Sequence, residues 1–144
     1  MPTKVKVSVI ILSRSLYQEG ILPAVDIINS TSINLSTEVV GKDHFDTAIK
    51  AKALLKQADS LERIVSLVGE SELSFDDQII YKRAKKIKNY MTQSFFVASS
   101  QKEKKGEYVE VKKAVSDLAQ IISGKVDNIS EDKFRFIGTL SDIV

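Results

Sequence analysis

From Asp43 to Val68 the apolar residues Phe45, Ile49, Leu54, Leu55, Ala58, Leu61, Ile64, Val65 and Val68 recur at three- and four-residue steps. That period puts them on one face of a long amphipathic helix, and such a face must be buried against other elements. Gly69 is a natural stop, because a residue without Cβ tolerates the backbone needed beyond a last turn. A turn follows at Glu70 to Leu73. Ser74 then offers an N-cap hydroxyl, with Asp76 and Asp77 in the first turn, where carboxylates complement the helix dipole. This second helix is expected to run to about Gln93, with Ile79, Ile80, Ala84, Ile87, Tyr90 and Met91 as its stripe. Lys82, Arg83, Lys85, Lys86 and Lys88 crowd its other faces. Val111, Ala114, Val115, Leu118, Ile121 and Ile122 predict a third helix that ends before Gly124. Ser130, with Glu131 and Asp132, opens a short fourth, and another helix would be starting at Ser141 to Val144. The expected fold class is mainly α, a helical bundle preceded by one strand and a loop.

The strand is Val5 to Leu12, a continuous β-branched and apolar run that suits burial on both faces better than an alternating surface strand. No other segment offers it a convincing long partner, so it pairs outside this chain or is the remnant of a larger domain, and its edges are a liability. A short helical turn is expected around Ser13 to Glu19. Gly20 and Pro23 then punctuate an irregular, linker-like stretch to about Ser36, and Lys102 to Gly106 forms a polar loop.

Composition narrows the function classes. A chain of 144 residues with 43% hydrophobic residues can bury one ordinary core. The charged fraction of 28% leaves a formal net charge of only +2, so whole-chain electrostatics demand neither nucleic acid nor membrane. The absence of Cys excludes disulfides, thiolate metal sites and a cysteine nucleophile. The start has too short an apolar run for a signal peptide, and no stretch is long enough to span a bilayer, so the chain reads as soluble.

Independent catalytic motifs are missing. A phosphate-cradling loop needs GxxxxGK followed by Ser or Thr, so that backbone N–H groups reach the phosphates while Lys and hydroxyl serve the γ-phosphate and magnesium. Neither Gly41-Lys42-Asp43 nor Gly124-Lys125-Val126 fits. His44 is the sole histidine, and a metal site or hydrolytic triad would rest wholly on it; a capping or exposed residue near a helix start is the better reading. The run KRAKKIKN could supply sequence-independent phosphate contacts, but no aromatic platform, helix-turn-helix turn or zinc spacing accompanies it, and a solvated helix face explains it better.

Several strings, in order, resemble the C-terminal portion of the catalytic beta subunit of rotary F-type ATP synthase. Leu12-Ser13-Arg14 is similar to an LSR after a late core strand, and Gly20 to Ser32 (GILPAVDIINSTS) to the GIYPAVDPLxSxS loop. Asp26 favours the beta type, since the related alpha subunit typically has Asn there. Val40 to Phe45 resembles the VGxxHY station that leads into the C-terminal helical domain. Ser71 to Asp77 stands where the family has DELSEED, and Arg83 to Ala98 (RAKKIKNYMTQSFFVA) includes the QPFxVAExF station. Gly106 to Val109, Ile121 to Asp127 and Phe134 to Gly138 match GKYV, ILxGxxD and FYMVG.

The resemblance implies that residues 1–37 are the tail end of a nucleotide-binding domain, contributing strand, short helix and adenine-side loop, and that 38–144 are the C-terminal helical domain. It implies a hexameric head with alpha-like neighbours and a gamma-like central shaft that couples ATP synthesis or hydrolysis to rotation. Such a head is cytoplasmic, is peripheral to the membrane, and meets it only through the complex. Glu72, Leu73, Ser74, Phe75, Asp76 and Asp77 carry over as shaft contacts; Ser71 and Phe75 depart from the acidic pattern, which leaves the loop less charged and gives it an aromatic. Leu22, Phe95 and Ala98 carry over as the adenine side of an ATP/ADP pocket. There Leu22 replaces the family's Tyr and Gln101 its second aromatic, which implies either weak base affinity or a divergent paralogue. Val7 and Ile10 also depart from polar strand positions. The family's phosphate-binding loop, catalytic glutamate and magnesium residues lie upstream, so no catalytic residue and no magnesium ligand is assigned here and the chain alone is expected to be inactive. The alternatives are a free-standing helical interaction module and, as a minor one, nucleic-acid binding through residues 82–88; whether the chain is a fragment, a truncated product or a stand-alone module stays open.

Overall fold

The computed structural model describes residues 7–98 and 105–144. Its order is α1 (Arg14–Gln18), α2 (Thr37–Val40), α3 (Lys42–Val68), α4 (Phe75–Tyr90) and α5 (Val111–Ser123), with 3-10 turns at Glu70–Glu72, Phe96–Ala98, Glu131–Phe134 and Leu140–Asp142. The fold is mainly helical, as expected. α3, α4 and α5 pack on one another, and the Glu131–Phe134 turn closes against α4.

The core explains the packing. α3 buries Ala51, Leu55 and Ala58, an i, i+4, i+7 row whose two alanines let the neighbouring helices approach closely. α4 contributes Tyr81, Ala84, Ile87 and Tyr90, α5 contributes Ile121, and the connections add Leu73, Val126, Phe134, Ile137 and Leu140. Each large, fully buried member such as Phe134, Leu55 or Ile87 contributes about 2–3 kcal/mol through area removed from water. Gly69 ends α3 at φ 94°, a backbone an L side chain rarely adopts, and its N–H closes on the Val65 carbonyl. Gly124 ends α5 in the left-handed region at φ 85°.

Five expectations are corrected. The strand is not realised: among the described residues there are only two isolated antiparallel bridges, Val9 to Thr31 and Leu12 to Val25. Val7, Val9, Ile10, Ile11 and Leu12 are exposed rather than buried on two faces, because only the loop at residues 24–31 pairs with them, along one edge. Val5 and Lys6 lie outside the described residues, as do residues 102–104 of the expected loop.

The second helix stops at Tyr90, not Gln93. The Thr92 hydroxyl folds back on the Asn89 carbonyl at 2.5 Å, and the Gln93 N–H is drawn off to the Leu22 carbonyl at 2.8 Å, so the helical ladder cannot continue. The apolar face of α4 is also rotated. Tyr81 is buried, Ile79 and Ile80 are half-buried, Met91 is exposed, and Lys86, expected on an outer face, is only 2% exposed. Finally, Ile49, Ile64 and Val68 on the expected α3 stripe are exposed, and the fourth helix is a single 3-10 turn anchored by Phe134.

Candidate functional site

The α3–α4 turn stands at the end of the helical hairpin as a stiff, capped projection. Ser74 is the N-cap: its Oγ accepts from the Asp77 N–H at 3.2 Å and donates to Asp77 Oδ2 at 2.7 Å. The Gln78 amide donates to the Leu73 carbonyl at 3.0 Å. Glu70 meets Lys85 at 3.1 Å and Lys82 at 3.8 Å, and Lys85 Nζ lies 4.6 Å from the centre of the Tyr81 ring. The Tyr81 hydroxyl donates to Glu62 at 2.9 Å, tying α4 back to α3; burial first, and then that carboxylate, push its pKa well up.

The six residues carried over to this turn divide in three. Leu73 faces inward, as part of the core. Ser74 and Asp77 are engaged in the cap. Glu72, Phe75 and Asp76 are exposed, Phe75 to 76%. Leu67, at 79%, together with Ile64 and Val68, adds an exposed apolar end of α3 that the carried-over set did not include. The sequence did carry a signal for it, because Leu67 falls off the stripe that Leu54, Leu61 and Val65 define. The outward chemistry of the turn is apolar and aromatic with a carboxylate fringe.

On the adenine side, the structure brings the loop containing Leu22 to the segment containing Phe95. Besides the Gln93 N–H to Leu22 carbonyl bond, the Gln93 amide donates to the Glu107 carbonyl at 2.7 Å and the Glu107 N–H to the Ser94 carbonyl at 3.0 Å. Gly106 passes so close to Phe96 that a Cβ there would strike the Phe96 backbone. Asp26 holds the same loop in shape by accepting from the Asn29 backbone at 3.0 Å and side chain at 2.8 Å; these bonds lower its pKa. Lys52 of α3 donates to the Ser30 carbonyl at 2.7 Å. Phe95 is 46% exposed, so it is not a core residue. Ala98 closes the short 3-10 turn, and Gln101 lies outside the described residues.

A neighbouring cleft of about 560 Å³ opens between the loop at residues 13–29 and α3, lined by Ile21, Asp26, Leu55, Asp59 and Lys88 among others, but it does not include Leu22 or Phe95. His44 is half-buried in the first turn of α3, between two shallow clefts along α5. Among the described residues, no group of three His, Cys, Asp or Glu could hold a metal ion.

The basic run of α4 is largely committed to internal partners. Arg83 forks onto Asp127, with 2.5 Å between Nη2 and Oδ2, and donates to the Ile122 carbonyl at 3.1 Å; the Asp127 bond raises its pKa. Lys86 donates to the carbonyls of Val126 and Asp127 at 3.1 and 3.0 Å, pinning the turn that follows α5, and burial lowers its pKa. Asp117, 0% exposed, accepts from the Tyr90 hydroxyl at 2.9 Å, from the Leu140 N–H at 3.0 Å and from Lys113. Sequence reasoning missed this node, although Asp117 sits on the face of Ala114 and Ile121, where a polar residue implies a buried partner.

No helix among the described residues is long and apolar enough to cross a membrane. A family model described as the C-terminal domain of V and A type ATP synthase matches residues 34–132, over half of the chain. The match begins just before α2 and ends in the Glu131–Phe134 turn, so it takes in α3, α4, α5 and the capped projection. The chain therefore belongs to the family of C-terminal domains of V- and A-type ATP synthases.

Proposed function

We propose that this chain is the C-terminal part of a beta-like subunit of a rotary ATPase head, and that the α3–α4 projection bears on a gamma-like central shaft. The observation that carries the reading is the exposed apolar end of a capped helical hairpin, with Phe75 and Leu67 outward and Leu73 and Tyr81 anchoring its base. A lever must be stiff at its root and adhesive at its tip, and this turn has both properties. The beta-like, F-type assignment within the rotary family rests on the loop from Gly20 to Ser32, with Asp26 as its most telling residue.

The exposure of residues 7–12 supports reading residues 1–37 as the tail of a nucleotide-binding domain, since a module evolved to stand alone covers or shortens such a segment. In that setting Leu22, Phe95 and Ala98 border the base of ATP or ADP while the phosphates, magnesium and catalytic groups belong to residues outside this chain. Alpha-like subunits flank it, the head is cytoplasmic, and membrane contact is indirect. The chain alone has no ATPase activity above background.

The test is a gentle pull-down from native cells, with intact-mass analysis of the captured chain. ATPase subunits as partners support the reading, and a captured chain much heavier than 16.0 kDa shows this sequence to be part of a larger subunit. A free chain of that mass with unrelated partners overturns it in favour of a repurposed helical module.

A further inference from the structure

The loop that carries Leu22 is fastened to the helices near both of its ends. At one end the Gln93 N–H, just past α4, donates to the Leu22 carbonyl at 2.8 Å. At the other, Lys52 Nζ of α3 donates to the Ser30 carbonyl at 2.7 Å. Between them Ile27 and Ile28 pack on the core. Ser30 is the knot of the loop. Its hydroxyl donates to the Asp26 carbonyl at 2.5 Å and accepts from the Ile11 N–H at 3.0 Å, and its own N–H also reaches the Asp26 carbonyl at 2.9 Å. The next residue, Thr31, exchanges both backbone hydrogen bonds with Val9, at 2.8 and 2.9 Å. Through one carbonyl, Lys52 therefore holds the turn from Asp26 to Ser30 and the segment paired with it. A hydrogen bond from a half-buried ammonium is stronger than one between neutral groups.

Lys52 also shares its helix with the projection. α3 runs unbroken from Lys42 to Val68, so Lys52 and the exposed Leu67 stand about 22 Å apart on one rod. When α3 moves as a body, the Ser30 end of the loop is carried with it. We infer that Lys52 is a positioning residue that ties the adenine-side loop to α3, so that the loop follows the helical hairpin. The consequence for nucleotide binding rests on the rotary reading; the tie itself does not.

Amide hydrogen exchange of the 144-residue chain tests the tie. In Lys52→Met the amides of Asp26, Asn29, Ser30 and Thr31 exchange about tenfold faster or more, those of α4 keep their rates, and the helical circular dichroism is kept. Lys52→Arg restores slow exchange, and Lys56→Met, one turn along α3, changes none of these amides. The Asp26 carboxyl, held low by its Asn29 hydrogen bonds and less strongly by the Lys52 charge, titrates higher in Lys52→Met. Unchanged exchange at residues 26–31 in Lys52→Met overturns the inference, as does equal loosening by Lys56→Met. In an assembled head, Lys52→Met raises the ATP concentration for half-maximal hydrolysis about fivefold or more, with kcat kept within about twofold, and Lys52→Arg rescues it. A loosened loop with unchanged half-saturation makes Lys52 a structural residue only and overturns the positioning role. An unchanged loop in a chain still captured by ATPase subunits sinks the tie and leaves the rotary reading standing; a loosened loop in a chain captured only by unrelated partners does the reverse.

Discussion

The two ends of α4 are used in opposite ways. At the C-terminal end Lys86, Asn89 and Tyr90 are buried, and their polar groups are turned inward. The Asn89 amide donates to the Glu131 carbonyl at 2.9 Å and its oxygen accepts from Arg135 at 3.2 Å, while the Phe136 N–H reaches the Thr92 hydroxyl at 2.8 Å. Among the described residues, no buried side-chain polar atom lacks a hydrogen bond. At the N-terminal end Ser74 and Asp77 form the cap, and Phe75 faces solvent. Interior polar networks fix one arrangement, and an exposed apolar tip on a fixed arrangement is a contact surface. The lesson is that charge on a helix does not by itself mark the outward face; here Lys86 is structural and Phe75 is free.

That contrast can be broken by substitution, with effects on folding that shrink from one end of α4 to the other. Asp117→Ala leaves the Tyr90 hydroxyl and the Leu140 N–H buried without an acceptor, at about 1–3 kcal/mol each. A loss of about 3 kcal/mol in urea unfolding is expected, and one below about 1 kcal/mol would mean that the node is not holding the C-terminal turn. Lys86→Met exchanges a desolvated cation for a thioether but strands two carbonyls, so the expected loss is about 1–2 kcal/mol.

Gly124→Ala forces a Cβ into the Arg83–Asp127 contact at a positive φ, with an expected cost of about 1–2 kcal/mol by thermal melting. Phe75→Ser, by contrast, changes unfolding by less than about 0.5 kcal/mol, since the ring touches mostly water. In an assembled head the same change reduces coupling to the shaft. Rotation that continues with unchanged rate and torque after Phe75→Glu would remove the aromatic from that role.

A pH series sharpens the comparison. Burial, and then the Asp117 contact, raise the Tyr90 pKa above its ordinary 10.0. A group whose folded pKa is raised stabilises fully below the unfolded pKa, and that stability is lost as pH rises beyond about 10. Burial lowers the Lys86 pKa below 10.5, and its sign is the reverse: its penalty is relieved as pH rises toward 10.5. Tyr90→Phe should therefore flatten the alkaline loss of stability and Lys86→Met should steepen it. Identical alkaline slopes in all three proteins would contradict both assignments.

Much of this architecture was legible in the sequence because local signals agreed with the packing. The span of α3, its Gly69 stop, the Ser74 cap and the Gly124 stop are each realised within a residue or so of where patterning puts them. The misreadings arose where tertiary partners overrode local pattern. Lys86 is inside because the turn after α5 presents two carbonyls to it, and nothing within α4 announces that. Val7 to Leu12 has the composition of an interior strand, but composition cannot supply the neighbouring strands that would bury it. At the projection, the carried-over string found the right turn, yet Leu73 is its anchor, and Leu67, outside the string, is among its most exposed residues.

The central claim, that the outward tip of α3 and α4 bears on a rotating shaft, is tested most directly by a photo-crosslinking amino acid placed at position 75 in native cells. Mass spectrometry would then identify what is joined to it. Adducts to the central-shaft subunit of an ATPase head, absent when the same probe stands at buried position 121, are the expected result; adducts only to proteins outside any such head would contradict the claim.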